Sequence, residues 1–445
     1  MNIIFIYNAT QTYTNTVFEH LASFARYSRH RVFFCHHDQS SEFAVELSHF
    51  DAIAIHYSVR LPYDQLSPQA ARELTDFTGL KVLFIQDEYE HTYRAWHWIR
   101  NLGIELVFTV VPEAGIGRVY PAQNFPGVRF VSNLTGYVPD WLKEDADLRP
   151  PSQRQLLIGY RGRPLPLRYG MLGLEKVAVG RIAKAYCDAH GIESDIAWNE
   201  ESRIYGPKWY EFMTSCRAML GSESGSNVFD WDASLDRRVA DYRNQNPDAT
   251  DDEVYQSVVR GEEVDGIMNQ VSPRVFEAIA ARTVLVLLEG NYSGVVKAGE
   301  HFIPLRKDGS NMAEVVELLQ DGRFVDAMVE RAFRDVVESG RYSYESFVRL
   351  VDAEIERSQL DLKSNDPAAA AAKRVPASPD ASSPLTTWPV RAKPVSVEAP
   401  AAPPVAGWRT SPPGRLALCL WLQLPDSFRQ RLKPLLLPLV PTLRR

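Results

Sequence analysis

Short apolar runs alternate with amphipathic stretches through the first third of the chain, and this alternation constrains the fold more than any other feature. The runs are almost wholly apolar, which is typical of parallel strands covered on both faces. Strands are predicted at residues 3–7, 31–35, 52–55, 82–85, 106–109 and 128–131, and helices at residues 16–27, 68–77 and 92–101. The pattern predicts an α/β class with a Rossmann-like first domain over residues 1–149. No GxGxxG follows the first strand, so a nicotinamide or flavin dinucleotide site is not expected.

The rest of the chain divides at changes of composition. A Pro-Pro-Ser break at Pro150 precedes an apolar run at residues 156–160, which predicts a second domain over residues 150–360. An Ala- and Pro-rich linker is predicted at residues 361–413 and a basic amphipathic tail at residues 414–445. Basic residues interspersed with Trp, Phe and Leu favour an anionic membrane surface, although docking on the protein body or on a partner fits the tail equally well.

Composition excludes several classes of protein. The net charge of −7 over 445 residues argues against a nucleic-acid partner. The four cysteines are scattered without a CxxC pair, which predicts neither a disulfide framework nor a metal site. The amino terminus lacks a basic leader, and no apolar run is long enough to cross a membrane. We therefore expect a cytoplasmic protein, with the tail as its only means of binding the inner face of a membrane.

Three polar side chains follow predicted strands of the first domain. His56 follows the run at residues 52–55, and Asp87 with Glu88 follows the run at residues 82–85. Carboxyl ends of parallel strands form the ligand-binding edge of such a sheet, so these residues are the candidate catalytic groups. The alternatives are a loop histidine with an internal partner and an acidic pair that stabilises the start of a helix.

The segment that begins at Ser272 carries the strongest motif. It reads SPRVFEAIAA, and an apolar run at residues 283–288 and a polar turn at Tyr292–Gly294 follow it. This order resembles the nucleotide-binding element of GT-B glycosyltransferases, with its (S)PRxFEAxAxGT pattern. The resemblance implies that Glu277 contacts the ribose of a nucleotide-sugar, and it places Arg274, Tyr292, Ser293 and Gly294 in the donor pocket.

The same resemblance implies cations for the donor diphosphate. In GT-B enzymes the strand that opens the second domain is followed by an Arg and then a Lys, and Arg161 or Arg163 with Lys176 matches this order. Ser222 and Ser224 lie in a small-residue loop that follows a predicted strand, and such a loop can hold phosphate or sugar hydroxyls. Fixed cations can take the role that a divalent ion has elsewhere, so no metal and no cofactor is expected.

One position departs from the pattern. Retaining relatives carry a second Glu eight residues before the first, whereas this chain has Asn269. The acidic stretch at residues 229–266 is predicted to be a surface insertion that moves as a lid. The segments at residues 301–305 and 307–311 are similar to the C-terminal parts of bacterial glycosyltransferase family 1 and CgeB-like proteins.

The resemblance therefore implies a GT-B fold, with two Rossmann-like domains facing across a cleft. It implies transfer of a sugar from a nucleotide-diphosphate sugar to a glycan, lipid or protein acceptor. The alternative is a nucleotide-sugar-binding protein without transfer activity, either epimerase-like or a scaffold.

Overall fold

The computed structural model describes residues 1–10, 15–142 and 148–365, with side chains through Asp361. Both of its sheets belong to one compact unit. The predicted linker was expected to begin at residue 361, but the last helix continues through Asn365. The remainder of the linker and the basic tail lie outside the described residues.

A six-stranded parallel sheet forms the N-terminal lobe, as the apolar runs predicted. Its strand order is β2-β1-β3-β4-β5-β6. The strands are β1 Asn2–Tyr7, β2 Arg31–His36, β3 Ala52–Ile55, β4 Leu80–Ile85, β5 Leu106–Thr109 and β6 Arg129–Ser132. The helices of this lobe are α1 Asn15–Tyr27, α2 Pro68–Asp76, α3 Thr92–Asn101 and α4 Glu113–Val119. Strands β3, β4 and β5 are almost fully buried, because helices cover both faces of a parallel sheet.

A second, five-stranded parallel sheet forms the C-terminal lobe. Its order is β11-β10-β9-β7-β8. The strands are β7 Leu156–Arg161, β8 Ser194–Ala197, β9 Cys216–Gly221, β10 Val284–Leu288 and β11 Ile303–Leu305. The helices that follow in the chain are α5 Gly170–His190, α6 Pro207–Ser215, α7 Leu235–Gln245, α8 Asp251–Val254, α9 Pro273–Ala280, α10 Met312–Gln320, α11 Gly322–Ala332 and α12 Tyr344–Asn365. The half-polar strand β8 gave no apolar signal in the sequence.

The segment at residues 229–266 lies on the surface, as its acidic composition predicted, but apolar residues anchor it and it is not a separate lid. Helices α7 and α8 enclose a small apolar core of their own around Leu235 and Tyr255. At its two ends, Phe229 and Ile267 pack into the core of the N-terminal lobe. The insertion is therefore a packed connection between the lobes. Most of its acidic residues form the solvent face of that connection, while Asp230 and Glu263 are buried.

The last helix returns to the first lobe. Tyr344, Phe347 and Val351 of α12 pack with β1 and β4 residues in one apolar cluster. Asp352 accepts hydrogen bonds from the Ser28 hydroxyl and the Arg29 amide. Within the described part of the chain, no helix is long and apolar enough to cross a membrane.

Candidate active site

A cleft of about 440 Å³ lies between the two lobes. In the C-terminal lobe it opens at the carboxyl ends of β7 and β9, where the strand order reverses and where doubly wound sheets bind ligands. In the N-terminal lobe, Asp87 and Tyr89 follow β4, and Asn15 and Thr16 begin α1. Eight of the sequence-predicted site residues line this cleft, namely Asp87, Arg161, Arg163, Lys176, Ser222, Ser224, Arg274 and Glu277.

Three cations converge on one wall of the cleft. Lys176 comes from the second turn of α5, Arg163 from the loop after β7, and Arg274 from the start of α9. Burial and the charges of Arg274 and Arg163 lower the pKa of Lys176 to about 8, although Glu175 and Asp87 oppose that shift. Such mutual repulsion is costly without an anion, so this wall is suited to hold a diphosphate.

Of the two predicted loop arginines, only Arg163 has a free guanidinium. Arg161 donates to the Asp195 carboxylate at 2.7 Å and to the Asp195 carbonyl at 2.9 Å, and it stacks over the Phe212 ring. Its carbonyl accepts a hydrogen bond from Arg274. No hydrogen bond or ion pair joins Arg163 to another described residue. Arg161 therefore supports the wall, and Arg163 faces the space within it.

A glycine allows this loop to approach α5 closely. A Cβ atom at Gly162 would lie 2.9 Å from the Lys176 carbonyl oxygen and 2.8 Å from the Tyr160 ring. Real Cβ atoms almost never approach other atoms so closely, so a larger residue would push the loop away from the helix that carries Lys176.

Glu277 lies in the buried wall beside these cations. It accepts a hydrogen bond of 2.9 Å from the Trp209 indole nitrogen, and only one of its two carboxylate oxygens is used in this way. Burial raises the pKa of Glu277, and the Trp209 hydrogen bond and the Arg274 charge oppose the rise. The second oxygen remains available to a hydroxyl in the cleft.

The loop after β9 forms the floor next to Lys176. The ammonium of Lys176 donates to the Glu223 carbonyl at 3.3 Å and lies 3.5 Å from the Ser224 hydroxyl. The Ser224 amide and carbonyl pair with Gln270, which fixes the loop. Gly225 has a φ of 91°, and a Cβ there would lie 2.1 Å from the Met268 carbonyl oxygen. The loop conformation is therefore available only to glycine at that position.

Asp87 faces the cations from the opposite lobe. Its side chain is 50% exposed and accepts a hydrogen bond of 2.6 Å from the Tyr89 hydroxyl. Desolvation by the surrounding protein and the negative charge of Glu90 raise the pKa of Asp87. Its φ of 59° is unusual for a residue other than glycine, and strained backbone of this kind concentrates at functional sites.

The other two predicted catalytic residues lie away from the cleft. His56 is fully buried, and its ring nitrogens bond to His20 at 3.0 Å and to Ser58 at 2.8 Å. Glu88 is also fully buried, and it accepts hydrogen bonds from the Thr109 hydroxyl and the Val110 amide. Burial raises the pKa of Glu88 to about 8. His56 thus has the internal partners that its alternative predicted, whereas Glu88 bonds at the end of β5 and not at the start of a helix.

The turn after β10 also lies behind the cleft wall. The Tyr292 ring is fully buried, the Ser293 hydroxyl donates to the Gln270 side chain, and Gly294 completes the turn; none of the three lines the cleft. The amides of Asn291 and Tyr292 donate to the Glu223 carboxylate at 3.1 and 2.8 Å. The backbone of this turn therefore binds a protein carboxylate, and the turn predicted to line the donor pocket does not do so.

Asn269 is bound to the same carboxylate. Its amide nitrogen donates to Glu223, and its carbonyl oxygen accepts a hydrogen bond of 2.8 Å from Asn227. Both ends of the side chain are therefore engaged inside the protein. The acid missing at position 269 has a neighbouring counterpart in Glu223, which sequence spacing did not reveal.

The structure adds residues to the cleft that the motif did not name. The Tyr205 ring is 44% exposed at the cleft rim, with the Arg203 guanidinium 4.9 Å from its centre. Trp209 orients Glu277, and Tyr89 orients Asp87. The aromatic residues around Arg203 were a usable signal, because aromatic side chains in a polar loop after a strand often contact ligands. Among the described residues, no cluster of three or more His, Cys, Asp or Glu side chains could hold a metal.

Comparison with solved structures shows the fold. An alpha-glucosyltransferase in complex with UDP-glucose and DNA containing an abasic site matches with a TM-score of 0.50 and 10% identity, over 80% of this chain and 98% of that one. Weaker matches are the T4 phage BGT in complex with UDP-glucose and the pneumococcal O-GlcNAc transferase GtfA in complex with UDP and GlcNAc. The BGT match has a TM-score of 0.35 and 11% identity, over 82% of this chain and 99% of that one. The GtfA match has a TM-score of 0.35 and 12% identity, over 71% of this chain and 57% of that one.

No protein-family model matches the chain, and no curated protein sequence matches it. The likeness to the alpha-glucosyltransferase confirms an α/β protein with the two parallel sheets of the GT-B fold. The similarity to CgeB-like proteins remains a prediction.

Proposed function

We propose that this protein is a glycosyltransferase that takes a sugar from a nucleotide-diphosphate sugar. The observation that carries the proposal is the arrangement of Arg163, Lys176 and Arg274 beside Glu277 on one wall, with Asp87 on the other. The GT-B fold supports it, since enzymes of that fold are its structural neighbours.

The donor lies on the C-terminal lobe in this proposal. The three cations bind the diphosphate, and their charge stabilises the leaving group as its bond to the sugar breaks. The free oxygen of Glu277 accepts a hydrogen bond from the ribose. The exposed ring of Tyr205 provides a stacking surface for the base. A uridine diphosphate donor is the first choice for testing, because the matched alpha-glucosyltransferase was bound to UDP-glucose.

Asp87 acts on the acceptor. It takes the proton of the acceptor hydroxyl as that oxygen bonds to the anomeric carbon and the diphosphate departs. A raised pKa makes Asp87 a stronger base than an ordinary aspartate. A single displacement of this kind inverts the anomeric configuration, which NMR of the product measures.

The charge of the N-terminal lobe bears on the acceptor. Residues 1–142 carry ten lysines and arginines against fourteen aspartates and glutamates, a net charge of −4. A duplex acceptor needs a basic surface, so we propose a glycan, lipid or protein acceptor. The matched alpha-glucosyltransferase was bound to DNA, so a DNA duplex belongs in the acceptor panel. Transfer to the duplex would contradict the proposed acceptor class.

We also propose that the basic segment 414–445 brings the enzyme to anionic membranes from the cytoplasmic side. The segment lies outside the described residues, so the proposal rests on its composition. Sedimentation with vesicles containing 30% phosphatidylserine, compared with neutral vesicles, measures it; equal binding to both would contradict it.

A ligand-binding screen tests the donor site. UDP, GDP and dTDP sugars are added to the protein, and the melting temperature is measured, because a ligand that binds only the folded state raises it. Lys176→Ala should weaken UDP binding by about 10- to 150-fold, since a charge-assisted hydrogen bond contributes about 1.5–3 kcal/mol. Lys184→Ala is the matched control, because Lys184 lies on the same helix and its ion pair is with Asp188, outside the cleft.

Asp87→Asn separates transfer from binding. Transfer should fall by about 100-fold or more, as expected for loss of a general base, while UDP affinity stays within about threefold. Asp64→Asn is the control, because Asp64 has a similar left-handed φ of 53° but lies outside the cleft wall. Strong UDP binding without turnover across the acceptor panel would favour the alternative of a binding protein. Unchanged binding in Lys176→Ala would reject the donor site.

A further inference from the structure

The Glu90 carboxylate lies next to the cleft and accepts five hydrogen bonds. Its side chain is 2% exposed, and the guanidinium of Arg168 donates two hydrogen bonds of 3.1 Å to one of its oxygens. The hydroxyl of Tyr169 donates to the same oxygen. The other oxygen accepts from Arg60 and, at 2.7 Å, from the Tyr63 hydroxyl.

These bonds join the two lobes at the active site. Glu90 ends the loop after β4 that carries Asp87, and Tyr63 and Arg60 come from the same lobe. Arg168 and Tyr169 belong to the turn Leu167–Tyr169, which leads directly into the helix that carries Lys176. The backbone adds to this connection, because the Asp230 amide donates to the Tyr89 carbonyl at 2.8 Å.

We propose that Glu90 is a positioning residue that holds the acceptor-side Asp87 loop against the donor-side Lys176 helix. The inference rests on the proposed roles of Asp87 and Lys176. Glu90 does not line the cleft, so it acts only through its neighbours.

Arg60 lies between the Glu90 and Asp87 carboxylates, so Glu90 affects how strongly Arg60 pairs with Asp87. Its guanidinium is bound to Glu90 and lies 3.9 Å from the Asp87 carboxylate. Without the Glu90 charge, Asp87 becomes the nearest carboxylate to Arg60. Glu90 therefore keeps Arg60 from pairing closely with Asp87 and weakening it as a base.

The charges around Asp87 set the sign of the effect. On its own loop Asp87 faces Glu88, Tyr89 and Glu90. Tyr57 and Arg60 face it from the loop after β3, and Arg168, Tyr169 and Lys176 face it from the C-terminal lobe. Glu90 is the neighbouring charge that raises the pKa of Asp87 most, and Arg60 and Arg168 lower it. Removing the Glu90 charge should therefore lower the pKa of Asp87.

The first test needs no substrate. Hydrogen exchange of the full-length protein should be at least about tenfold faster in Glu90→Gln at the amides of Glu90, Tyr169 and Asp230, because these amides lie in the joined segments. Glu354→Gln is the matched control; Glu354 is 11% exposed and pairs with Arg129, away from the cleft. Arg168→Lys is a milder second variant in case Glu90→Gln does not fold. Unchanged exchange at the three amides would overturn the proposal.

The second test distinguishes positioning from simple support of the fold. Carboxyl-carbon NMR, assigned with Asp87→Asn, should show the Asp87 pKa about one unit lower in Glu90→Gln. With UDP-glucose as donor, the acidic limb of kcat should move to lower pH by a similar amount, and kcat should fall tenfold or more while the donor KM stays within threefold. An unchanged Asp87 pKa would reject the mechanism. If the wild-type protein neither binds nor turns over any of the UDP, GDP and dTDP sugars, the proposed function fails, while the exchange and NMR results still decide the role of Glu90.

Discussion

At the residue scale, the state of Lys176 decides how the cleft binds an anion. Burial and two neighbouring guanidinium groups lower its pKa to about 8, so a fraction of the free protein carries a neutral amine at pH 8. A bound diphosphate favours the charged form and raises the pKa again. Binding of the anion and protonation of Lys176 are therefore linked.

This linkage predicts a pH dependence of donor affinity. UDP affinity should change little near pH 7, be roughly halved at pH 8 and fall progressively above that pH, because above the free pKa the ligand must bring a proton onto Lys176. Isothermal titration calorimetry from pH 7 to pH 9.5 measures this. Lys176→Arg is the control, since arginine stays charged throughout this range. A decline of the same size in that variant would show that another group is responsible.

At the element scale, helix α6 supports helix α9. Trp209 of α6 donates to Glu277 of α9, and the Arg274 guanidinium lies 5.1 Å from the centre of the Trp209 ring. One side chain thus orients two residues of the donor wall. The sequence motif covers only α9, so it could not predict this support.

We therefore expect Trp209→Phe to lower both the stability of the fold and the affinity for UDP. The change leaves a buried carboxylate without its donor, which should lower the free energy of unfolding by about 1–3 kcal/mol and weaken UDP binding by roughly tenfold. Trp96→Phe is the control, because Trp96 is similarly buried but its indole nitrogen has no hydrogen-bond partner. Urea unfolding and calorimetry provide the measurements. If both variants lose the same unfolding free energy and UDP affinity, the effect of Trp209→Phe comes from lost side-chain volume and not from the lost hydrogen bond.

At the scale of the whole molecule, the two lobes are joined through their cores. Phe229 is 4% exposed and belongs to a C-terminal segment, yet it packs among residues of the N-terminal core. Helix α12 makes a second connection in the same direction. We expect the two lobes to unfold together.

Phe229→Ala tests this coupling. Loss of a buried phenylalanine typically costs about 3–5 kcal/mol, and the unfolding midpoint of both lobes should fall by the same amount. Denaturant-dependent hydrogen exchange reports on strands β4 and β10 separately. A lower midpoint in β4 alone would show that the lobes are independent. Leu319→Ala, in the C-terminal core, should shift both strands in the same way.

The strands were predictable where the sequence carries a mainly apolar run, and this includes β6, whose residues are only partly buried or exposed. The predicted strand at residues 52–55 agrees with β3 because all four of its residues are buried. Strand β8 is half-polar at the edge of its sheet, so it gave no apolar run. The acidic insertion looked like a lid because its charges outnumber the few apolar residues that anchor it.

The sequence alone predicted the α/β class and placed Asp87 after a strand, because strand periodicity and strand-end position are local properties of the chain. Lys176 and Glu277 were predicted from the resemblance to GT-B enzymes, and the structure places both at the cleft. Only the tertiary structure decided which side chains are free to act. Arg161 is bound to Asp195, Glu88 to Thr109, and Glu223 to the turn after β10. These partners lie 21 to 69 positions away, and a charge pairs with its nearest neighbour in space.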